Sequence, residues 1–298
     1  MSHLFRTAFS PEFIEKWTFF LKELSDYTFH DEFALVPSLS GRKTYSYLPL
    51  LNYTDKTLSE TENLLQKVKG KRYQIRVLNP EHTAFQEDDP VTMRIDLDKK
   101  DVEELLSTSV SKRMRRYIKH SDCSEMTIKK GNSADIIADF YAIFSTVMHR
   151  HGTPVFGKRL FVTLSKTVST TYYVAYNGNI PVSAAVIVDD LEISWIPWSG
   201  THRKYMQERP GLILYWETIK DAFSKKKLIY DFGRSSYGSG TYIFKKRWGA
   251  IPVKVDILQH RPSNIYRKYR FVAPIWKKMP FPLTLWLGPK LCKHLPDL

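Results

Sequence analysis

The stretch TTYYVAYNGNIPVSAAVIVDDLEISWIPWSG, residues 170–200, most limits what this chain can fold into. β-Branched and aromatic residues dominate it. Asn177-Gly178-Asn179 supplies one tight turn and Asp189-Asp190 a second, so it reads as an antiparallel meander. RPGLILYWETIKDAFSKKK follows as a helix, with Leu212, Tyr215, Trp216, Ile219 and Phe223 on one face. KLIYDFG is then a short apolar strand, TYIFKKRWG one or two helical turns, and VKVDILQ a closing strand. A sheet interleaved with helices in this way belongs to the mixed α/β (α+β) class.

The rest of the chain repeats the mixture. Ser10 and Pro11 are placed to start a helix over PEFIEKWTFFLKEL, with Phe13, Trp17 and Phe20 or Leu21 on one side. FALVPSLSG and KTYSYLPLLNY read as strands around a Ser40-Gly41 turn, and residues 57–69 as a helix stopped by Gly70. YQIRVLN and VTMRIDL are strands separated by the acidic loop EHTAFQEDDP. The span from Asp101 to His120 reads as one amphipathic helix. MTIKKG then restarts a strand, with a helix from Ser133 to Arg150 behind it. This gives two α/β lobes, residues 1–124 and 125–262, and a tail from 263 to 298.

Charge points to an anionic partner: 45 Lys and Arg stand against 31 Asp and Glu, for a net charge of +14. Nucleic acid, a nucleotide-linked substrate and a membrane surface all fit that sign. The helix segment SKRMRRYIKH concentrates it, with Lys112, Arg113, Arg115, Arg116 and Lys119 within eight positions. Five cations there exceed what a helix C-terminus needs to offset its dipole, so they fit a cationic wall of an anion-binding cleft. The tail has seven Lys or Arg against one acid, interleaved with Trp276, Leu285, Trp286 and Leu287. That composition suits a segment lying on a membrane; five prolines argue instead for a strap packed on the second lobe. The two cysteines, Cys123 and Cys292, imply neither a disulfide framework nor a zinc ribbon. The N-terminal residues lack a secretory signal, and no apolar run approaches the ~20 residues needed to span a bilayer. The expected location is therefore the cytoplasm, at the inner membrane face if the tail engages lipid.

Several conspicuous motifs carry little. Asp231-Phe232-Gly233 stands without the HRD loop or Gly-rich loop that a kinase requires. Gly238 and Gly240 form no P-loop and no dinucleotide fingerprint. His149-Arg150-His151 has no third ligand at metal-site spacing, so no metal is expected. G-x-S-x-G is absent, which leaves an ordinary serine hydrolase unsupported.

SKRMRRYIKHS, HGTPVFGKRLF, SWIPWSG, GLILYWETIKDA, YDFGRSSYGSGTYIFKKRWGA and WKKMPFPLTLWLGPKL together, in this order, resemble the FemAB family. The likeness is greatest to its soluble branch associated with exopolysaccharide systems and spans about residues 110–298. The resemblance implies tandem GNAT-like lobes with mixed central sheets, and transfer of an acyl or aminoacyl group to an amine. Cell-wall members take amino acids from aminoacyl-tRNA to build peptidoglycan cross-bridges. Their basic residue after Phe, proposed to stabilise the reaction's oxyanion, corresponds to Lys245. Departures are visible: NYTD replaces an expected double glycine, no coiled-coil arm fits between Ser111 and Lys130, and Arg209-Pro210-Gly211 is only a remnant of an acyl-CoA pyrophosphate loop.

The expectation is thus an N-acyltransferase acting on an amine of an envelope precursor, an exopolysaccharide amino sugar or a peptidoglycan peptide. Acyl-CoA or aminoacyl-tRNA would be the co-substrate, with no permanently bound cofactor. Lys245 is the candidate oxyanion cation and Asp231 the candidate proton acceptor; for Asp231 a structural carboxylate paired with Arg234 or a backbone N–H is the competing reading. Arg234, Lys246, Arg113 and Arg116 are candidates for phosphate groups of substrate or donor. Tyr173, Trp195 and Trp198 are candidates to line an acceptor cleft, with a plain core role as the competitor. The rival from another class is a non-catalytic GNAT-shaped module holding nucleic acid or anionic membrane.

Overall fold

The computed structural model describes residues 7–24, 27–37, 41–47, 54, 58–99, 101–121, 126–261 and 272–294. The NYTD departure falls largely outside them, as do Cys123 and the basic residues Arg267, Lys268 and Arg270. The chain divides into two compact units, each assembled from separate segments. The first comprises Met1–Ser10, Pro80–Phe144 and Val168–Lys254, and the second Pro11–Asn79, Ser145–Thr167 and Val255–Leu298.

In the first unit the chain forms β5 (Pro90–Asp96), α3 (Val102–Thr108), α4 (Lys112–Ser121) and β6 (Met126–Gly131), then enters α5 (Ala134–His151). The meander follows as β7 (Thr170–Asn177), β8 (Ile180–Asp189) and β9 (Ile193–Thr201). After it come α7 (Pro210–Ser224), β10 (Ile229–Ser236), α8 (Gly240–Lys246) and the start of β11 (Ile251–Gln259). The sheet runs β11-β5-β10-β9-β8-β7-β6. Each neighbouring pair is antiparallel except β9 and β10, which are parallel and joined through α7. A parallel pair needs such a crossover because a hairpin cannot reverse the chain twice. Leu214, Ile219, Tyr230, Phe232 and Trp248 are buried together in the core of this unit.

The single helix expected from Asp101 to His120 is two helices. Asp101 caps α3 by accepting the Glu104 N–H at 2.7 Å. The chain then breaks, and Ser111 donates its N–H to the Arg247 carbonyl at 2.9 Å. Gly249, at φ +86°, lies so close that a Cβ there would come within 2.4 Å of the Ser109 carbonyl oxygen. Tertiary contact therefore captures backbone groups that a continuous helix would have used internally. It also sinks Val110 into the core.

The second unit contains α1 (Pro11–Glu23), β1 (Thr28–His30), β2 (Phe33–Pro37), β3 (Lys43–Ser46), α2 (Leu58–Lys67) and β4 (Tyr73–Asn79). To these it adds the end of α5, α6 (Lys158–Thr167), α9 (Ala273–Lys278) and α10 (Phe281–Cys292). Strands β1, β2 and β3 are antiparallel, whereas β3 and β4 are parallel, joined through α2. Each unit thus has an antiparallel run that ends in one parallel pair crossed by a helix. Phe13, Trp17, Phe20 and Leu21 are buried along α1, as the helical spacing predicts. The tail is more helical than its prolines suggest. Pro274 and Pro282 lie in first turns, where no backbone hydrogen bond is lost, and only Pro289 is interior.

Candidate active site

The site is built on β10. Opposite β5, Asp231 pairs with Arg94 and Arg234 pairs with Thr92, so Phe232 and Gly233 together face Met93. This is a β-bulge, with Gly233 at φ +69°. A Cβ at Gly233 would also sit 3.2 Å from Trp195 Nε1, so glycine meets both a backbone and a steric demand. Parallel pairing with β9 stops at the same point, its last pair being Asp231 with Trp195. Beyond it, after an irregularity at Ile196-Pro197, Trp198–Thr201 of β9 pairs with β8. The bulged half of β10 pairs with β5. The two parallel strands therefore part at the bulge.

Asp231 fixes that bulge. It is fully buried, and its Oδ1 accepts from Thr92 Oγ1 at 2.5 Å and the Gly233 N–H at 2.7 Å. Its Oδ2 accepts from Arg94 Nε at 2.9 Å, and Arg94 Nη1 donates to the Thr7 carbonyl at 2.7 Å. Of the two partners the sequence suggests for a structural Asp231, the backbone N–H is present, from Gly233, and the arginine is Arg94 from a different strand in place of Arg234.

Lys245 comes to this bulge from α8. Ser239 caps the helix by accepting the Tyr242 N–H, and Phe244 and Trp248 pack with Tyr215. These contacts turn Lys245 inward, where it is only 8% exposed. Its Nζ donates to the Gly233 carbonyl at 2.9 Å and the Arg234 carbonyl at 2.8 Å. Burial pulls its pKa down to about 7, against the opposing influence of Asp231. Around neutrality the group divides between ammonium and amine. As ammonium it keeps a third N–H beyond the two given to the carbonyls.

The other candidates separate. Arg234 lies on the bulge, and Trp195 touches it. Trp198 is half-buried, 6.3 Å from the Trp195 ring, on the part of β9 that has left β10. Lys246 is exposed, its Nζ 5.9 Å from the Tyr242 ring. Tyr173 is buried on β7, three strand positions from β10, or about 14 Å. Its hydroxyl donates to Asp221, which also binds Lys130 and Lys225. That contact and burial together push the phenol pKa up.

Arg113 and Arg116 line a separate cavity of about 1090 Å³ on α3 and α4, with Lys112, Arg115 and Lys119. Glu103 is its one acidic lining residue. Tyr117 lies among these cations: Arg113 Nε donates to its hydroxyl at 2.9 Å, and the Arg209 guanidinium lies 3.8 Å from its ring centroid. Arg209 holds φ +56° at the entry to α7 and so joins this cationic surface to the crossover helix. Sequence reasoning saw Arg209 only as part of a loop remnant, and it missed Thr92, Arg94 and the bulge. Arg94 did leave a signal, a charge in the middle of an apolar strand. Among the described residues no three His, Cys, Asp or Glu gather as a metal-ligand cluster.

Residues 76–246 match the family model of the acetyltransferase (GNAT) domain. The chain is similar in structure to FemX, with a TM-score of 0.59 at 13% identity over 87% of this chain and 93% of that one. It is also similar to L-PGS from Bacillus licheniformis, with a TM-score of 0.54 at 12% identity over 91% of this chain and 98% of the other. At such identities the likeness shows the fold. No curated protein matches the sequence.

Proposed function

We propose, from a chain that belongs to the acetyltransferase (GNAT) domain family, an N-acyltransferase whose reacting carbonyl sits against Lys245. One observation carries this reading: a buried lysine held by two carbonyls at a bulge where two parallel strands part. In the reaction an amine nitrogen attacks the donor's carbonyl carbon. The new C–N bond forms, the C–S bond of a thioester or C–O bond of an ester breaks, and the amine's proton leaves with the departing group or to solvent. Negative charge builds on the carbonyl oxygen in between. The Lys245 ammonium, with one N–H beyond its two carbonyl contacts, stabilises that oxygen. One well-placed donor in a dry site contributes roughly 3–4 kcal/mol, or about 10²–10³ in rate.

Asp231 acts here as a positioning residue. Both its oxygens are engaged, and its contact with the Gly233 N–H keeps the carbonyls of Gly233 and Arg234 aimed at Lys245. The α4 cavity is the place for phosphate groups, which acyl-CoA and aminoacyl-tRNA both carry. Guanidinium forks match phosphate oxygens two at a time. The acceptor, on this reading, is an amine of a cell-envelope precursor, in keeping with the FemAB resemblance. Incubating the protein with acetyl-CoA or charged tRNA and a panel of amino-sugar and peptide acceptors, read by mass spectrometry, tests it. Transfer by wild type that Lys245→Ala or Lys245→Met abolishes supports the assignment. Equal transfer by all three proteins refutes the role of Lys245, and none with either donor refutes the enzyme.

A further inference from the structure

The C-terminal helices α9 and α10 are built in the reverse of the usual order of sizes. On α10 the buried residues are Thr284, Gly288 and Cys292, one small residue per turn. Gly288 lies so close to the second unit's own backbone that a Cβ would come within 2.7 Å of the Val155 carbonyl oxygen. A Cβ at Gly152, at φ +77°, would likewise meet the Ala273 carbonyl oxygen at 2.5 Å. Thr284 Oγ1 meets His149 Nδ1 at 3.1 Å, and Phe281 packs edge-on to the His149 ring. Small residues thus let the strap lie flat on the unit, and Trp276 alone plugs in deeply from α9.

Large apolar residues are left on the outside. Val272, Ile275, Leu283 and Trp286 are four of the ten large hydrophobic side chains exposed among the described residues, and they fall within fifteen positions. Trp286 is 60% exposed and Ile275 64%. At 100° per residue, Leu283, Trp286 and Lys290 share the face of α10 opposite the Thr284–Gly288–Cys292 stripe. Lys277, Lys278 and Lys290 are exposed with them, and Lys290 Nζ lies 3.5 Å from the centre of the Trp286 ring. No acidic residue occurs between Val272 and His294. Among the described residues no helix is long and apolar enough to cross a bilayer.

We propose that the outer face of α9 and α10 is a docking surface for an anionic lipid bilayer. Leu283, Trp286 and Ile275 enter the headgroup boundary, and Lys277, Lys278 and Lys290 meet lipid phosphates. The charge decides the occupant. A second copy would bring the same lysines and repel, whereas an anionic leaflet offers the opposite charge and an apolar layer beneath it. A tryptophan with lysines around it suits that boundary, since the ring lies at headgroup depth and the ammonium groups reach outward. The proposal is independent of the chemistry assigned to Lys245.

Sedimentation of the full chain with phosphatidylcholine vesicles, with and without phosphatidylglycerol, tests it. Wild type should pellet with the anionic vesicles, less so in high salt, and remain in solution with neutral ones. Each lysine changed to glutamine should weaken binding about five-fold, as expected for one charge at an anionic surface. The pair Ile275→Ser and Trp286→Ser should abolish pelleting while leaving the melting temperature unchanged, because both side chains are exposed. Equal recovery with neutral and anionic vesicles, undiminished pelleting by the serine pair, or concentration-dependent self-association without vesicle binding would each overturn the proposal.

Discussion

The crossover β3–α2–β4 and the crossover β9–α7–β10 share one plan and differ in what surrounds the parallel pair. β3 and β4 pair at Tyr45 with Tyr73 and Ser46 with Gln74, and α2 between them is the polar LSETENLLQK. β4 continues as a regular strand, buried over its five central residues. β10 is bulged at Phe232-Gly233 and leaves β9 there, α7 buries Leu214, Trp216, Ile219 and Ala222, and α8 follows with a lysine turned inward. The parallel pair is common to both crossovers. The second crossover adds a buried ion pair that fixes a bulge, and a cation that reads the bulge's carbonyls.

Substitutions in the two crossovers should separate accordingly. Asp231→Ala breaks the buried ion pair with Arg94 and should cost about 3–5 kcal/mol, read by urea unfolding. Gln74→Ala, at a buried polar site in β4, should cost only about 1 kcal/mol. A comparable loss at both positions would erase the distinction. Gly233→Ala places a side chain in a left-handed conformation beside Trp195 and should cost roughly 1–3 kcal/mol. Its acyl transfer should fall further than its stability explains, because the carbonyls that hold Lys245 move with the bulge. Arg209→Ala should have the smallest effect on stability, about 0.5–1 kcal/mol from the lost stacking on Tyr117. It should act chiefly by raising the KM for the phosphate-bearing donor with kcat unchanged; an unaltered KM would detach the α4 cavity from the reaction.

Elements whose residues decide their own conformation were legible in the sequence. The meander followed from its two turns, and α1 and α7 from their spacing of apolar residues. What escaped were features set by distant partners. Arg94 and Asp231 lie 137 positions apart, so neither shows the other along the chain. The break between α3 and α4 depends on Gly249 and Arg247, which no local propensity reports. Lys245 and Lys246 are adjacent and chemically alike. Only the FemAB resemblance singled out Lys245, and burial at 8% exposure now distinguishes it from its exposed neighbour. The proline-rich tail hid two helices because Pro274 and Pro282 fall in first turns, which tolerate them.

The pH dependence of single-turnover acyl transfer bears most directly on Lys245. Its pKa is lowered to about 7, so the ammonium proposed to stabilise the oxyanion is present below that pH and is lost as pH rises through it. The acceptor amine contributes the opposite limb, since it must shed a proton to attack. Wild type should therefore rise at low pH and level off near neutrality, where loss of the ammonium offsets the gain of free amine. Lys245→Arg, charged throughout, should go on rising through neutrality, and Lys245→Met should be slower by about 10²–10³ at low pH with its fold intact. A wild-type profile that goes on rising through neutrality, or a Lys245→Met protein that matches wild type, would contradict an oxyanion role for this lysine.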